Sequence, residues 1–157
     1  MNTKEKCLYL DVGYEEKYGD HSLVEEPLAA YGVTPMQLDT DLSIITEARK
    51  GVKTKMFWEF LKSIKSSKTE FEELLPSSIK TFSRKQILDE ATGERILNII
   101  RVFRAGEQLF GDIEKFKKWL QKYHPMLGDE PRSFLNTTTG CQVVIDEIRR
   151  AQHGIMA

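Results

Sequence analysis

The feature that most limits the fold of this chain is a period. From Asp41 onward its apolar residues return at steps of three and four, and no segment sustains an alternation at a step of two. Met56, Phe57, Phe60, Leu61 and Ile64 form one stripe, and Ile96, Ile99, Ile100 and Phe103 a second, extended by Leu109-Phe110. Phe116, Trp119, Leu120 and Tyr123 make a third, and Cys141, Val144, Ile145 and Ile148 a fourth. Each stripe gives a helix one apolar face to bury. The expected fold is therefore all-α, with about eight to nine helices and no sheet.

Breakers and caps set the ends. Leu42, Ile45 and Ala48 share a helical face that Gly51 ends, and Ser66-Ser67-Lys68 interrupts the stripe that follows. Thr69 with Glu72 three residues later has the spacing of a capping box for a helix containing Phe71, Leu74 and Leu75. Pro76 closes that helix, and Ser77 or Ser78 starts the next, running through Ile79, Phe82 and Gln86. Gly111 breaks the long stripe and Asp112 caps its successor. His124-Pro125 should stop that helix, because proline lacks a donor and disfavours helical angles in the residue before it. Leu127-Gly128 turns the chain, and Pro131 suits the first turn of a short helix through Leu135. Thr137 or Thr138 caps the last helix. Gly154 ends it, with Arg149, Arg150 and His153 complementing the dipole.

A chain of 157 residues holds one substantial core or two small domains. Charge divides it where the net value of −1 does not. Acids outnumber bases nine to three over residues 1–45, and bases outnumber acids ten to five over residues 46–85. Three regions are expected: an acidic N-terminal arm (1–40), a helix-turn-helix region for DNA binding and dimerisation (41–110), and a C-terminal helical domain (111–157). In the arm, Val24, Leu28 and Tyr31 mark one short helix between Ser22 and Ala30. The arm is either a variable, partly flexible segment or one that docks on a partner or a second copy.

The strongest chemistry lies in Ser77–Gln86. Ser77, Ser78, Lys80, Thr81, Arg84 and Lys85 supply hydroxyls and cations, while Ile79, Phe82 and Ile87 are placed to anchor the segment. Two short helices joined by a tight turn, the second rich in such groups, describe a helix-turn-helix. Phosphates and base edges are contacted by these side chains near the start of a recognition helix. Lys68 and Thr69 open the preceding helix and are placed to hold a phosphate. A solvated face of an ordinary helix explains the same residues.

Enzymatic readings find little support. His21, His124 and His153 are widely spaced and lack partners at metal-ligand steps, so neither a metal nor a cofactor is expected. Cys7 and Cys141 are far apart with no CxxC spacing, and Cys141 sits on an apolar helix face. Asp146-Glu147 are adjacent on a helix and point about 100° apart, so they do not converge on one reacting atom. No phosphate loop, dinucleotide fingerprint or nucleophile elbow occurs. Nor is there a run near the roughly 18 apolar residues that cross a membrane, or a signal-like start, which places the expected protein in the cytoplasm.

The final third resembles the C-terminal toxin-binding domain of the Xre/MbcA/ParS antitoxins. The resemblance runs through Trp119-Leu120, Pro125, Leu127-Gly128-Asp129, Pro131, Leu135-Asn136-Thr137, Gly140 and His153-Gly154-Ile155. Asp129 departs from that pattern by replacing its second glycine, and His124 stands at a variable position. The resemblance is strong after Trp119 and weak from Leu42 to Ile87. It implies a type II antitoxin that binds a RES-domain toxin acting on NAD. It also implies occlusion of the toxin's active site, by Arg149, Arg150 and His153 together with Gly154, Ile155, Met156 and Ala157. An Xre-like helix-turn-helix at Ser77–Gln86 would bind operator DNA as a homodimer. The rival readings are a helix-turn-helix regulator with no toxin, and a helical adaptor that never meets DNA.

Overall fold

The computed structural model describes residues 22–33 and 35–154, and these are mostly helical as expected. Seven α-helices carry the described chain: α1 (Glu25–Ala29), α2 (Asp41–Lys50), α3 (Thr54–Ser63), α4 (Ile79–Arg84), α5 (Glu90–Phe110), α6 (Ile113–Leu120) and α7 (Thr138–Gln152). Three 3-10 segments join them, at Pro35–Leu38, Thr69–Leu74 and Pro131–Phe134.

Helix α5 is the axis. Its residues 96–103 are buried nearly all the way round, which fits a helix covered on every side rather than one lying on a surface. Helices α2, α6 and α7 pack against it. Phe103 meets Phe60 and Phe116 edge to face, at 5.6 and 5.3 Å between ring centres, and lies 5.7 Å from Phe71. Such ring pairs add about 0.5–1.5 kcal/mol each beyond their buried area. One continuous core thus joins the basic middle of the chain to its C-terminal third.

Most predicted caps are present. Gly51, Gly111, Gly128 and Gly154 all take positive φ. Asp112 accepts from the Glu114 amide, and of the two candidate threonines Thr137 caps α7. Ser78 rather than Ser77 caps α4, which ends at Arg84.

Three local expectations are corrected. The segment Thr69–Leu74 is a 3-10 helix that Thr69 does not cap. Ser67 and Glu70 form the reciprocal pair two residues earlier, the Ser67 amide donating to Glu70 Oε2 and the Glu70 amide to Ser67 Oγ. A small antiparallel ribbon does exist: β1 (Val52–Lys53) pairs with β2 (Ile87–Leu88). It staples the start of α3 to the residues after α4. Ile87, expected as an anchor, is 60% exposed on that ribbon.

Of the N-terminal arm, the described residues dock on this chain's own α5. Val24 and Leu28 enter the core, and Ser22, Leu23, Glu25 and Asp39, with Asp41 at the start of α2, meet α5 side chains spaced by three. Arg101 reaches Asp41 at 2.7 Å, and Arg104 reaches both Glu25 and Asp39 at 2.5 Å. Glu107 accepts from Ser22 Oγ and from the Leu23 amide. The two carboxylates beside Arg104 hold its pKa above the ordinary value despite the opposing effect of burial.

Candidate functional site

Two surfaces carry the candidate residues. The first surrounds α4. Ser78 accepts from the Thr81 amide and its hydroxyl meets that of Thr81, so both hydroxyls serve the cap. Phe82 is buried and fixes the helix to the core, leaving Lys80 and Arg84 exposed. No ion pair engages either cation among the described residues. Lys85 instead pairs with Asp89 at 2.9 Å. That pairing and the bonds from Thr92 lower the Asp89 carboxyl to about 2.

Lys68 lies 4.3 Å from the ring centre of Trp58, and Trp58 packs edge to face on Phe82. Trp58 therefore brings Lys68 and α4 into one neighbourhood, a role the sequence did not reveal. Thr69 is exposed in its 3-10 turn, and Ser77 is half-buried. The expected pair of regular helices is realised as a 3-10 segment and a six-residue helix, about 9 Å long.

The second surface is the C-terminal end. Cys141, Val144, Ile145 and Ile148 are buried, as their stripe requires. Gly140 is forced by close approach, because a Cβ there would lie 1.9 Å from the Phe134 carbonyl oxygen. Arg95 donates to the Asn136 carbonyl and ties this corner to α5. Burial pushes the Cys141 thiol up to about 12, which keeps it protonated and unreactive at neutral pH.

The turn before α7 is closed by the backbone of His124, which donates to the Asp129 carbonyl and accepts from the Leu127 and Gly128 amides. Asp129 accepts from the Glu130 amide and from Ser133 Oγ, and these bonds brace the chain just before the 3-10 turn at Pro131. Its carboxylate gives this position a structural use that a glycine cannot supply.

On α7, Arg149 pairs with Asp146 at 3.6 Å and Arg150 with Glu147 at 3.2 Å. Asp146 and Glu147, read as a non-converging pair, do diverge. Asp146 faces solvent and accepts from Gln142, whereas Glu147 is buried beside His124, 3.6 Å from its Nε2. The imidazole packs against Trp119. Two buried atoms here lack hydrogen-bond partners, His124 Nδ1 and Glu147 Oε2. The approach of Arg150 to Glu147 Oε2 is thus a charge contact without hydrogen-bond geometry. His153 closes the helix through its amide, and Gly154 follows with φ +68°. The candidate residues Ile155, Met156 and Ala157 lie outside the described residues.

Tyr123, Met126 and Val143 are strongly or moderately exposed, at 62, 51 and 36%. Tyr123 belongs to the third apolar stripe of the sequence, but α6 ends at Leu120 and leaves it outside the core. No group of three or more His, Cys, Asp or Glu residues that could hold a metal ion occurs among the described residues. No described helix is long and apolar enough to cross a membrane.

A Trp-bearing helix, a Pro/Gly turn, a 3-10 segment and a threonine-capped terminal helix define a compact helical module at the end of this chain. Residues 105–154 match the family described as the antitoxin Xre/MbcA/ParS C-terminal toxin-binding domain. The match begins inside α5 and ends at the C′ glycine of α7. No curated protein matches the chain.

Proposed function

We propose that this chain is the antitoxin of a type II toxin–antitoxin pair. It binds and neutralises a RES-domain, NAD-consuming toxin, and it represses its own operon in the cytoplasm as a DNA-binding homodimer. The observation that carries this reading is the match of residues 105–154 to a toxin-binding domain. The mechanism is occlusion: the end of α7 and the residues after it enter the toxin's cleft and exclude the nucleotide. Two features support it. The last turn presents Arg149, Arg150 and His153; Arg149 is held only by a half-exposed pair with Asp146, while Arg150 is itself half-exposed and faces the buried Glu147. An exposed pair like that of Arg149 is worth about 0.2–1 kcal/mol, so a partner's anionic groups can take its guanidinium over at small cost. For DNA the support is the exposed pair Lys80 and Arg84, together with Lys68 on Trp58.

The test is co-expression with the protein encoded by the adjacent reading frame. The parent chain should restore growth and co-purify with that protein. Deleting Ile155–Ala157 together with Arg149→Ala and Arg150→Ala should leave the melting temperature within a few degrees while rescue is lost. A variant that melts and rescues like the parent would reject occlusion by the tail and retain the antitoxin reading. Absence of rescue by the parent would favour a regulator without a toxin.

A further inference from the structure

We infer that Tyr123, Met126 and Val143 form an apolar anchor for the toxin, separate from the C-terminal plug; this rests on the antitoxin reading above. Of the five large apolar side chains exposed among the described residues, these three fall within residues 105–154, and the other two, Leu42 and Ile87, lie elsewhere. His124 fastens the turn to α7 by its approach to Glu147, and Tyr123 is its chain neighbour. Val143 is one helical turn before Glu147 on the same side of α7. Tyr123 and Met126 thus belong to the turn that is fastened to α7, and Val143 lies one helical turn from that fastening point.

The place of these residues in the matched stretch 105–154 points to the occupant. Val143, Glu147, Arg150 and Gly154 follow one another at steps of four, three and four, so they form a single stripe along α7. At 1.5 Å per residue the stripe is about 16 Å long. It starts in the apolar patch and ends where the chain leaves for the tail. A protein that receives the tail in a cleft thus meets the patch with the rim of that cleft. Arg150 and Glu147 lie between the two, and the bonding capacity of Glu147 Oε2 is unfilled.

Tight interfaces concentrate their energy in buried aromatic and arginine anchors. The tail and last turn contain no aromatic residue, and Tyr123 supplies one. A second copy of this chain is the poorer occupant. Stable dimers bury about 20–30 residues a side, far more than this patch, and the stripe gives no reason for two tails to meet. The partner face is expected to be an apolar ridge carrying a hydrogen-bond acceptor for the tyrosine hydroxyl.

The experiment titrates the purified full chain against the purified product of the adjacent reading frame. The parent, Y123S/M126S/V143S and a chain lacking Ile155–Ala157 are compared. The triple variant should melt like the parent, since all three positions are exposed, and bind roughly 30-fold or more weakly, the effect of about one lost hot spot. In parallel, peroxide oxidation of Met126 is followed by mass spectrometry, a readout that needs no variant. Oxidation should slow several-fold in the complex.

Unchanged affinity of the triple variant, or unslowed oxidation of Met126 in a complex that does form, overturns the anchor and leaves the antitoxin reading standing. If the parent fails to bind, the antitoxin reading falls first and the anchor with it. Protection of Met126 in the chain alone as its concentration rises assigns the patch to a second copy and overturns the inference.

Discussion

At the scale of single residues, two positions carry more than their size suggests. Gly140 lies in the first turn of α7, where alanine ordinarily gains about 1 kcal/mol in helix propensity. Here its Cβ would press on the Phe134 backbone carbonyl, which cannot yield as a side chain end can. Gly140→Ala should therefore destabilise the protein, by about 1–3 kcal/mol, read as a lowered thermal midpoint. Asp89 caps α5 by accepting from the Thr92 amide and hydroxyl, and it also takes the ion pair from Lys85. Its carboxyl is depressed from 3.8 to about 2. A depressed folded pKa means that the charged form contributes stability above the unfolded value. That contribution is lost as pH falls from about 4 through about 2. Asp89→Asn keeps a competent cap but has nothing to titrate. The parent should exceed this variant at pH 7 by less than about 1 kcal/mol, since the pair is half exposed, and the gap should close near pH 2 in urea melts.

At the scale of elements, the docked strap of residues 22–41 has a clear mechanical source in Arg104. Its guanidinium, 17% exposed, bonds Glu25 of α1 and Asp39 before α2. Arg104→Ala removes charged hydrogen bonds worth about 1.5–3 kcal/mol each in such settings, partly offset by water reaching the freed carboxylates. Amide exchange in Glu25–Ala29 should quicken while α7 amides stay slow; equal loss in both would mean that the strap and core unfold together. The strap also shows where the sequence stopped being readable. Helical stripes are local, so the faces of α3, α5 and α7 could be read directly, as could Gly111 after α5 and Thr137 and Gly154 at the ends of α7. Pairing between Glu25, Asp39 and Asp41 and arginines sixty or more positions later leaves no period to find. The same limit hid His124 beside Glu147, although Arg149, Arg150 and His153 were visible as the charged last turn. The ribbon of β1 and β2 is too short to alternate. Ser67 and Glu70 carry the same capping spacing as Thr69 and Glu72, and spacing alone does not choose between them.

At the scale of the whole molecule, the basic surface and the C-terminal helical module rest on one core. The rings of Trp58, Phe57, Phe60, Phe103, Phe116 and Trp119 follow one another from Lys68 to His124. Lys117 adds a polar tie, donating to the Ile64 and Lys65 carbonyls at the end of α3. A shared core couples the stability of the two sides, but Lys80 and Arg84 lie outside it, so the DNA-binding claim can be tested alone through these exposed residues. Lys80 and Arg84 project from α4 while Phe82 holds it, and α4 is too short to lie along many base pairs. Binding is therefore expected to draw chiefly on phosphate contacts, with Arg84 the cation whose guanidinium is better suited to a base edge, though it closes α4 where Lys80 opens it. On the DNA upstream of the gene, Arg84→Ala should cost about 1–3 kcal/mol if it reads a base, and less on unrelated DNA. Lys80→Ala should weaken both DNAs alike and reduce the slope of log K against log salt by about one. Should both variants bind like the parent at every salt concentration, α4 is not the DNA-reading element, while rescue from the toxin would be untouched.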